Sequence, residues 1–351
     1  MSSNEQERQP RPSIPKESGL LQRARLFLRG SFPDGVPHIV VGYSGGRDSL
    51  ALLLVFRELQ RLGVCGLTAV HVDHGLRPDS ADAAAEAVAV AERLGVACAL
   101  VAAGGDLRMR WPGESVEDVA RKFRYQALAS VLGDVGGDAV AVGHHRRDQA
   151  ETVLLHILRG SGLAGLRGME ADGTLVFAGA NRGIRVIRPF LREAPETLDE
   201  LVQRSGLPVI EDPTNEQPEF RRNRIRHELL PLLEEIAPGS SGRLVSLADI
   251  LRADDEALED VAHALVHRTM DDRGNLGWGA VRGAPLGLQR RVVRRWILHG
   301  GYPGELGLER VDAVVELAKR NEGGKRVELG GGWSVRFGRG QLDLVPPDGG
   351  G

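Results

Sequence analysis

The sequence predicts an α/β protein: a doubly wound, mostly parallel sheet, followed by a smaller, mainly helical domain with a short β segment. Three observations predict it. Apolar strand-like runs alternate with helical patterns through the first half of the chain, as in a parallel sheet covered by helices on both faces. A glycine turn follows the first apolar run and opens a helix, at the edge where such sheets bind ligands. Beyond residue 240 the alternation stops and helical patterns take over.

The expected elements follow in order. Ile39–Gly42 is a strand and Asp48–Leu62 a helix. Leu67–Val72 is a strand and Ser80–Leu94 a helix. Val96–Val101 and Ala139–Val142 are strands, each followed by a helix, Ser115–Leu132 and Asp148–Leu158. Arg159–Gly183 is glycine-rich and reads as a mobile loop. Ile184–Pro189 reads as a further short strand and Thr197–Ser205 as a helix. Glu211-Asp212-Pro213-Thr214-Asn215 is a break with turn-forming residues. A helix from Arg222 to about Ile236 leads to the boundary Pro238-Gly239-Ser240-Ser241-Gly242. Helices are expected over Leu244–Met270, Leu286–His299 and Leu308–Arg320, then strands over Arg326–Leu329, Trp333–Phe337 and Gln341–Val345. The domain reading is a flexible tail over 1–17, a first domain over 18–212, a helical connector over 213–240, a second domain over 241–346 and a tail over 347–351.

Bulk properties exclude several classes. A chain of 351 residues suggests two domains, and a net charge of -3 excludes a generally basic nucleic-acid coat. The two cysteines, Cys65 and Cys98, form no CxxC pair, which disfavours zinc ribbons, iron–sulfur sites and thioredoxin-like sites and fits a reducing cytoplasm. No segment approaches the ~18 apolar residues of a membrane span. Met1–Pro15 has no apolar signal-peptide region. Charge splits locally: residues 241–272 carry three Lys/Arg against eight Asp/Glu, and residues 281–345 twelve against seven. Arg290, Arg291, Arg294 and Arg295 recur at helical spacing and are expected on one face, suited to phosphate contacts or simply solvated.

The chemistry concentrates in strand-end loops. In Tyr43-Ser44-Gly45-Gly46-Arg47-Asp48-Ser49, the glycines admit a ligand to the backbone and the helix start presents unpaired N–H groups. The serines add hydroxyls, and Asp48 could help hold a metal on a polyphosphate. The Walker A lysine is missing, so the loop reads as a nucleotide site without ordinary γ-phosphate chemistry. His71-Val72-Asp73-His74-Gly75-Leu76-Arg77 reads as a strand end and turn, better suited to nucleotide contact than to metal. In Gly143-His144-His145-Arg146-Arg147-Asp148-Gln149-Ala150-Glu151-Thr152, Asp148 and Glu151 share a helix face near its N-terminus. They could be dipole-favoured helix-start residues, or orient and deprotonate an amine, or hold Mg²⁺.

The string Ser-Gly-Gly-x-Asp-Ser resembles the signature of the PP-loop (N-type) ATP pyrophosphatases. The stretch Gly143–Leu155 with Leu158–Leu163 and Gly165–Met169 then resembles the tRNA(Ile)-lysidine synthetase family. Glu117–Tyr125, Ile187–Leu191, Glu211–Asn215, Arg222–Arg226 and Leu229–Leu233 agree, so the resemblance spans roughly residues 39–233. After about residue 240 only the helical layout and the closing β segment are similar. One departure stands out: Arg147 occupies a position where the family usually has Asp.

The resemblance implies a PP-loop ATPase catalytic domain and a tRNA-binding second domain. It implies a cytoplasmic ligase that uses ATP and Mg²⁺ to join free L-lysine to C2 of the wobble cytidine in the CAU anticodon of tRNA(Ile). A homodimer is compatible with it. Ser44, Gly45, Gly46, Arg47, Asp48, Ser49, His74, Gly143 and His144 would then contact the nucleotide, with Asp48 on Mg²⁺. Asp148 and Glu151 would bind the lysine amine and accept its proton, and Arg222 and Arg226 would offset phosphate charge. Arg290, Arg291, Arg294 and Arg295 would meet the tRNA backbone, and Arg147 would point away or meet a phosphate. Two alternatives are a tRNA 2-thiolation enzyme of the same superfamily, disfavoured by the missing cysteines, and an inactive tRNA-binding relative, disfavoured by the intact Asp148/Glu151 pair.

Overall fold

A computed structural model describes residues 18–76, 79–176, 183–210, 221–321 and 323–347. Glu211–Asn215, Arg77 and the tail over 1–17 lie outside the described residues. The chain divides into two compact units, Met1–Asp249 and Ile250–Gly351.

The first unit is built on a six-stranded sheet. In chain order it comprises α1 (Gly19–Ser31), β1 (His38–Gly42), α2 (Arg47–Arg61), β2 (Gly66–Asp73), α3 (Ser80–Leu94), β3 (Cys98–Ala102), α4 (Val116–Asp134), β4 (Ala139–Ala141) and α5 (Arg146–Leu158). There follow α6 (Leu163–Leu166), β5 (Asp172–Leu175), β6 (Ile184–Ile187), α7 (Pro195–Ser205), α8 (Arg221–Arg224) and α9 (Leu230–Ile236). The sheet order is β3-β2-β1-β4-β6-β5. All pairings are parallel except β5–β6. The period-2 alternation of a strand sends neighbours to opposite faces. Ile39 and Val41 accordingly pack with α1, α2, α3 and α7, while Val40 packs with Tyr125 and Leu128 of α4. Both faces being covered explains why the strands read as continuous apolar runs.

Doubly wound sheets bind ligands where the strand order reverses. Here the chain winds outward from β1 to β3, then returns to place β4 on the other side of β1. The loops after β1 and β4 therefore sit side by side.

Several boundaries shift from expectation by one to three residues. Three differences are larger. α1, unread in the sequence, buries Leu20, Leu21, Ala24 and Leu28 against the core. The glycine-rich stretch expected as a mobile loop contains α6 and β5. It is pinned by Gln149, whose side-chain amide donates to the Met169 carbonyl at 3.0 Å and accepts from the Met169 N–H at 2.8 Å. The helix expected from Arg222 to Ile236 is interrupted by a π-helical turn, Ile225–Leu229, just before Pro231. Proline has no N–H to continue the regular ladder.

α10 (Ser240–Thr269) starts earlier than expected and runs through the division at Asp249/Ile250; the stretch read as a connector lies in the first unit. The second unit also holds β7 (Leu276–Gly277), α11 (Leu286–His299), α12 (Leu308–Arg320), β8 (Arg326–Gly330), β9 (Trp333–Gly338) and β10 (Gln341–Val345). Its antiparallel sheet has the order β7-β10-β9-β8. Its separate core centres on Trp296, Val335 and Phe337. Trp296 is buried with its one donor satisfied: Nε1 gives a 2.8 Å bond to the Gly274 carbonyl. Among the described residues no helix is long and apolar enough to cross a membrane.

Candidate functional site

The loop after β1 is tightly self-bonded. Ser49 Oγ donates to the Gly46 carbonyl at 2.9 Å and accepts from the Ser44 N–H at 3.1 Å. The two serine hydroxyls lie 3.0 Å apart. Gly45 has φ +86°, a left-handed conformation, and a Cβ there would sit 2.7 Å from Ile210. A Cβ on Gly143 would lie 2.8 Å from the Asp48 carbonyl oxygen. The β4 loop thus presses its backbone on the first turn of α2, and only glycine permits that approach. Arg47 points toward α7, 3.9 Å from Asp199. His74 sets its ring edge-on to Phe123. His71 is buried with Nδ1 2.9 Å from the Tyr43 carbonyl, a packed strand-end residue as its sequence context suggests.

α5 begins with a capping box. His145 Nδ1 accepts from the Arg147 N–H at 3.2 Å, and Asp148 Oδ2 accepts from the His145 N–H at 3.0 Å. His145 Nε2 faces Asp48 at 3.5 Å, linking the two strand-end loops. Burial opposes the charged imidazole, but Asp48 and Asp148 outweigh it and raise its pKa. His144 behaves oppositely. Burial pushes its pKa down, and Arg188, Arg222 and Arg121 add to the effect over the pull of Asp148. Arg188 Nε lies 3.3 Å from His144 Nδ1, so Nδ1 accepts and Nε2 carries the proton.

The central feature is a four-residue charge cluster. Glu151 is fully buried and Asp148 nearly so. Arg226 donates from Nε to Glu151 Oε1 at 2.6 Å, from Nη2 to Oε2 at 3.0 Å, and from Nη2 to Asp148 Oδ1 at 2.9 Å. Arg222 Nε donates to Glu151 Oε2 at 2.8 Å, with its Nη2 at 3.5 Å from Asp148 Oδ1. Burial alone would raise the Asp148 pKa, but His145, His144 and Arg222 overcome it and hold it below the usual range. A carboxylate offers about four acceptor positions, so each of the two carboxyls keeps about one for a ligand. Two guanidiniums balance the two buried carboxylates, so an ammonium would be held here by directed hydrogen bonds and not by net negative charge.

Of the sequence-read residues, the structure brings Asp148, Glu151, Arg222 and Arg226 together, and sets Asp48 beside His145. Arg147 leaves the cluster: its side chain is exposed, 3.9 Å from Glu196, on the wall of a cavity of about 680 Å³. The four arginines of α11 do not form one open face. Arg290 pairs with Asp312 at 2.6 Å, and Arg294 donates to the Leu306 carbonyl. Arg291 pairs with Asp255 and Glu259, and Arg295 with Glu259. They divide because residues 290 and 294 sit on the α12 side of the helix and 291 and 295 on the α10 side. Sequence reasoning gave no role to His145 or Arg188. Their signal was present in the His-His pair and in the Ile187–Leu191 stretch, but neither spacing reveals a contact made through space.

As a magnesium site, Asp48 fits as a single exposed carboxylate, because Mg²⁺ on a nucleotide takes one or two carboxylates and completes its shell with phosphates and water. No cluster of three metal-ligating side chains exists among the described residues.

Comparison with known proteins shows what the chain as a whole is similar to. Residues 22–233 match a family model described as a PP-loop domain, and residues 278–342 one described as a TilS substrate binding domain. A tRNA(Ile)-lysidine synthase of Rhodococcus jostii is 36% identical over 94% of this chain and 97% of its own length. One of Rhodococcus erythropolis is 39% identical over 92% and 91%. One of Symbiobacterium thermophilum is 35% identical over 91% of this chain and 68% of its own. Among solved structures, a U34-tRNA thiolase from Methanococcus maripaludis shares the fold with a TM-score of 0.53, at 18% identity over 66% of this chain and 80% of its own.

Proposed function

The chain belongs to the tRNA(Ile)-lysidine synthase family, and from that premise we propose that it joins lysine to C2 of the wobble cytidine in the CAU anticodon of tRNA(Ile). The observation that carries the reading is the Asp148–Glu151–Arg222–Arg226 cluster beside a glycine loop that lacks a Walker lysine.

The reaction has two steps. The C2 carbonyl oxygen of the cytidine attacks the α-phosphorus of ATP, and pyrophosphate leaves. The ε-amine of lysine then attacks C2, the C2–O bond breaks, and AMP departs with that oxygen. Ser44, Gly45, Gly46 and Ser49 cradle the departing pyrophosphate; Gly143 packs against them and His144 flanks the nucleotide. Mg²⁺, with Asp48 as its protein ligand, would neutralise charge on the phosphates. Asp148, which reaches the surface of the cluster, uses its remaining acceptor position to hold the lysine ammonium and take its proton, and the fully buried Glu151 supports it from behind. A carboxylate held as low as Asp148 is a weak base, so conversion of the oxygen into AMP, a good leaving group, carries the second step. Arg222 and Arg226 hold both carboxylates in place. Their unused N–H groups offset phosphate charge.

A 2-thiolation reading finds less support. The two cysteines of this sequence, Cys65 and Cys98, do not supply the set that holds an iron–sulfur cluster. Burial also pushes the Cys65 thiol up to about 12, far from a reactive thiolate. Incubation with ATP, Mg²⁺, labelled lysine and a CAU-bearing tRNA(Ile) transcript tests the proposal. Label should enter the RNA only with ATP present, and folded protein that transfers none overturns it.

A further inference from the structure

Across β4 from the glycine loop lie cations that the mechanism leaves unused. α4 crosses over between parallel strands, so its first turns lie at their carboxyl edge, and these turns carry Arg121 and Arg124. Arg121 stacks over the buried ring of Tyr125, with Cζ 5.0 Å from the ring centroid. Arg188, just after β6, is only 7% exposed. Its Nη1 donates to the Glu170 carbonyl at 2.7 Å and its Nε to His144 at 3.3 Å. Arg124 opens to solvent at the rim, close enough to feel Arg121 and Arg222.

None of these three guanidiniums has a carboxylate within 4.0 Å among the described residues. Arg188 is the buried one of the three, and elsewhere the chain pairs its shielded arginines with carboxylates. Arg222 and Arg226 meet Asp148 and Glu151, and Arg291 meets Asp255 and Glu259. Burying a charge without a counter-ion costs free energy, and a fold that keeps one does so where a ligand supplies the opposite charge. Burial, reinforced by Arg121, pushes the Arg188 guanidinium below its ordinary value. His144 stays neutral and accepting beside it, holding Arg188 in place without neutralising it.

We propose that Arg121, Arg124 and Arg188 form a second anion site that takes a phosphate group. This rests on the lysidine reading only for the identity of the occupant. The glycine loop at β1 already serves the nucleotide, and β6 lies two strand spacings away, roughly 10 Å. That separation favours a backbone phosphodiester of the RNA next to the reacting cytidine. Arg121, stacked on Tyr125, and the exposed Arg124 would supply most of the N–H groups for the phosphate oxygens, while Arg188, already bonded to His144 and the Glu170 carbonyl and facing Tyr125, contributes chiefly its charge from beneath.

The test measures binding separately from turnover. A fluorescent anticodon stem–loop is titrated into wild type, Arg121→Gln, Arg124→Gln and Arg188→Gln across a potassium chloride series, and ATP is titrated without RNA. Removal of one phosphate contact should weaken RNA binding about tenfold and lower the salt slope by about one, with ATP affinity unchanged in Arg121→Gln and Arg124→Gln; Arg188→Gln also removes the bond to His144 and is read on RNA binding alone. Loss of ATP affinity with RNA binding intact would keep the phosphate site and assign it to the nucleotide. Unchanged affinities and slopes for both ligands in folded variants would overturn it. Arg121→Gln and Arg124→Gln carry the test if the buried Arg188 variant fails to fold. Because binding needs no lysine transfer, the two readings fail separately. A wild type that binds RNA through these arginines but transfers no lysine loses only the lysidine function.

Discussion

Removal of Arg226 probes how the buried carboxylates are held. In Arg226→Gln, Glu151 loses two of its three short bonds and Asp148 loses its shortest guanidinium contact. Glu151 has no exposed surface, so water cannot replace the lost donors. Breaking a buried ion pair by deleting one partner costs about 3–5 kcal/mol. Arg222 still holds Glu151 at 2.8 Å and the Arg226 side chain is itself 28% exposed, so the low end, about 3 kcal/mol, is expected. At roughly 2–4 °C per kcal/mol for a domain of this size, the melting midpoint should fall by roughly 6–12 °C. Denaturant unfolding of wild type, Arg226→Gln, Glu151→Gln and the double variant gives the assay. The double variant should lose less than the sum of the singles, with a coupling above about 1 kcal/mol. Additive losses, or an Arg226→Gln variant as stable as wild type, would refute the claim that the cluster is one electrostatic unit.

Gly143→Ala should cost about 1–3 kcal/mol and weaken ATP binding, since its Cβ would meet the Asp48 backbone at 2.8 Å, where nothing can yield; isothermal titration with ATP reads this. Arg147→Asp should shift stability by no more than about 0.5 kcal/mol and retain lysine transfer, because the side chain is exposed and pairs with Glu196, although it lines the same cavity as Arg226. Stability should fall from pH 7 toward pH 5, because His71 and His144 have lowered folded pKa values, so the unfolded chain takes up protons near pH 6.5 that the folded chain refuses. His71→Asn should flatten that slope, whereas His145, whose value is raised, contributes stability below about pH 6.5 that fades as pH rises through its folded value. Gln149→Leu should free the backbone around Met169, seen as faster amide exchange over residues 163–175 with little change in α2.

Local features of this chain were readable in advance, and contacts between distant segments were not. The glycine loop is written within seven consecutive residues, and strand, turn and helix follow from apolar runs on either side. Asp148 and Glu151 are one helical turn apart, so a shared face could be read from spacing. Their engagement by Arg222 and Arg226 joins segments more than 70 residues apart, and no periodicity encodes it. The same limit explains the α11 arginines. Helical spacing put them on one side of a cylinder, but Asp312 and Glu259, on other helices, drew them apart. The glycine-rich stretch misled for a related reason. Composition suggested mobility, whereas the buried amide of Gln149, the Arg188 guanidinium and the pairing of β5 with β6 hold the stretch from outside it. α1 went unread because its four buried residues are diluted among arginines and glycines.

Lysine transfer is the most direct test of the central claim. Purified protein, ATP, Mg²⁺ and labelled lysine are combined with tRNA(Ile) transcripts bearing CAU or a substituted wobble base, and the label in RNA is counted alongside AMP. The account expects ATP-dependent label in the CAU transcript alone, one AMP released per lysine joined, and no label with Asp148→Ala despite an unchanged fold. Label that enters without ATP, or an Asp148→Ala variant that transfers lysine at the wild-type rate, would contradict it.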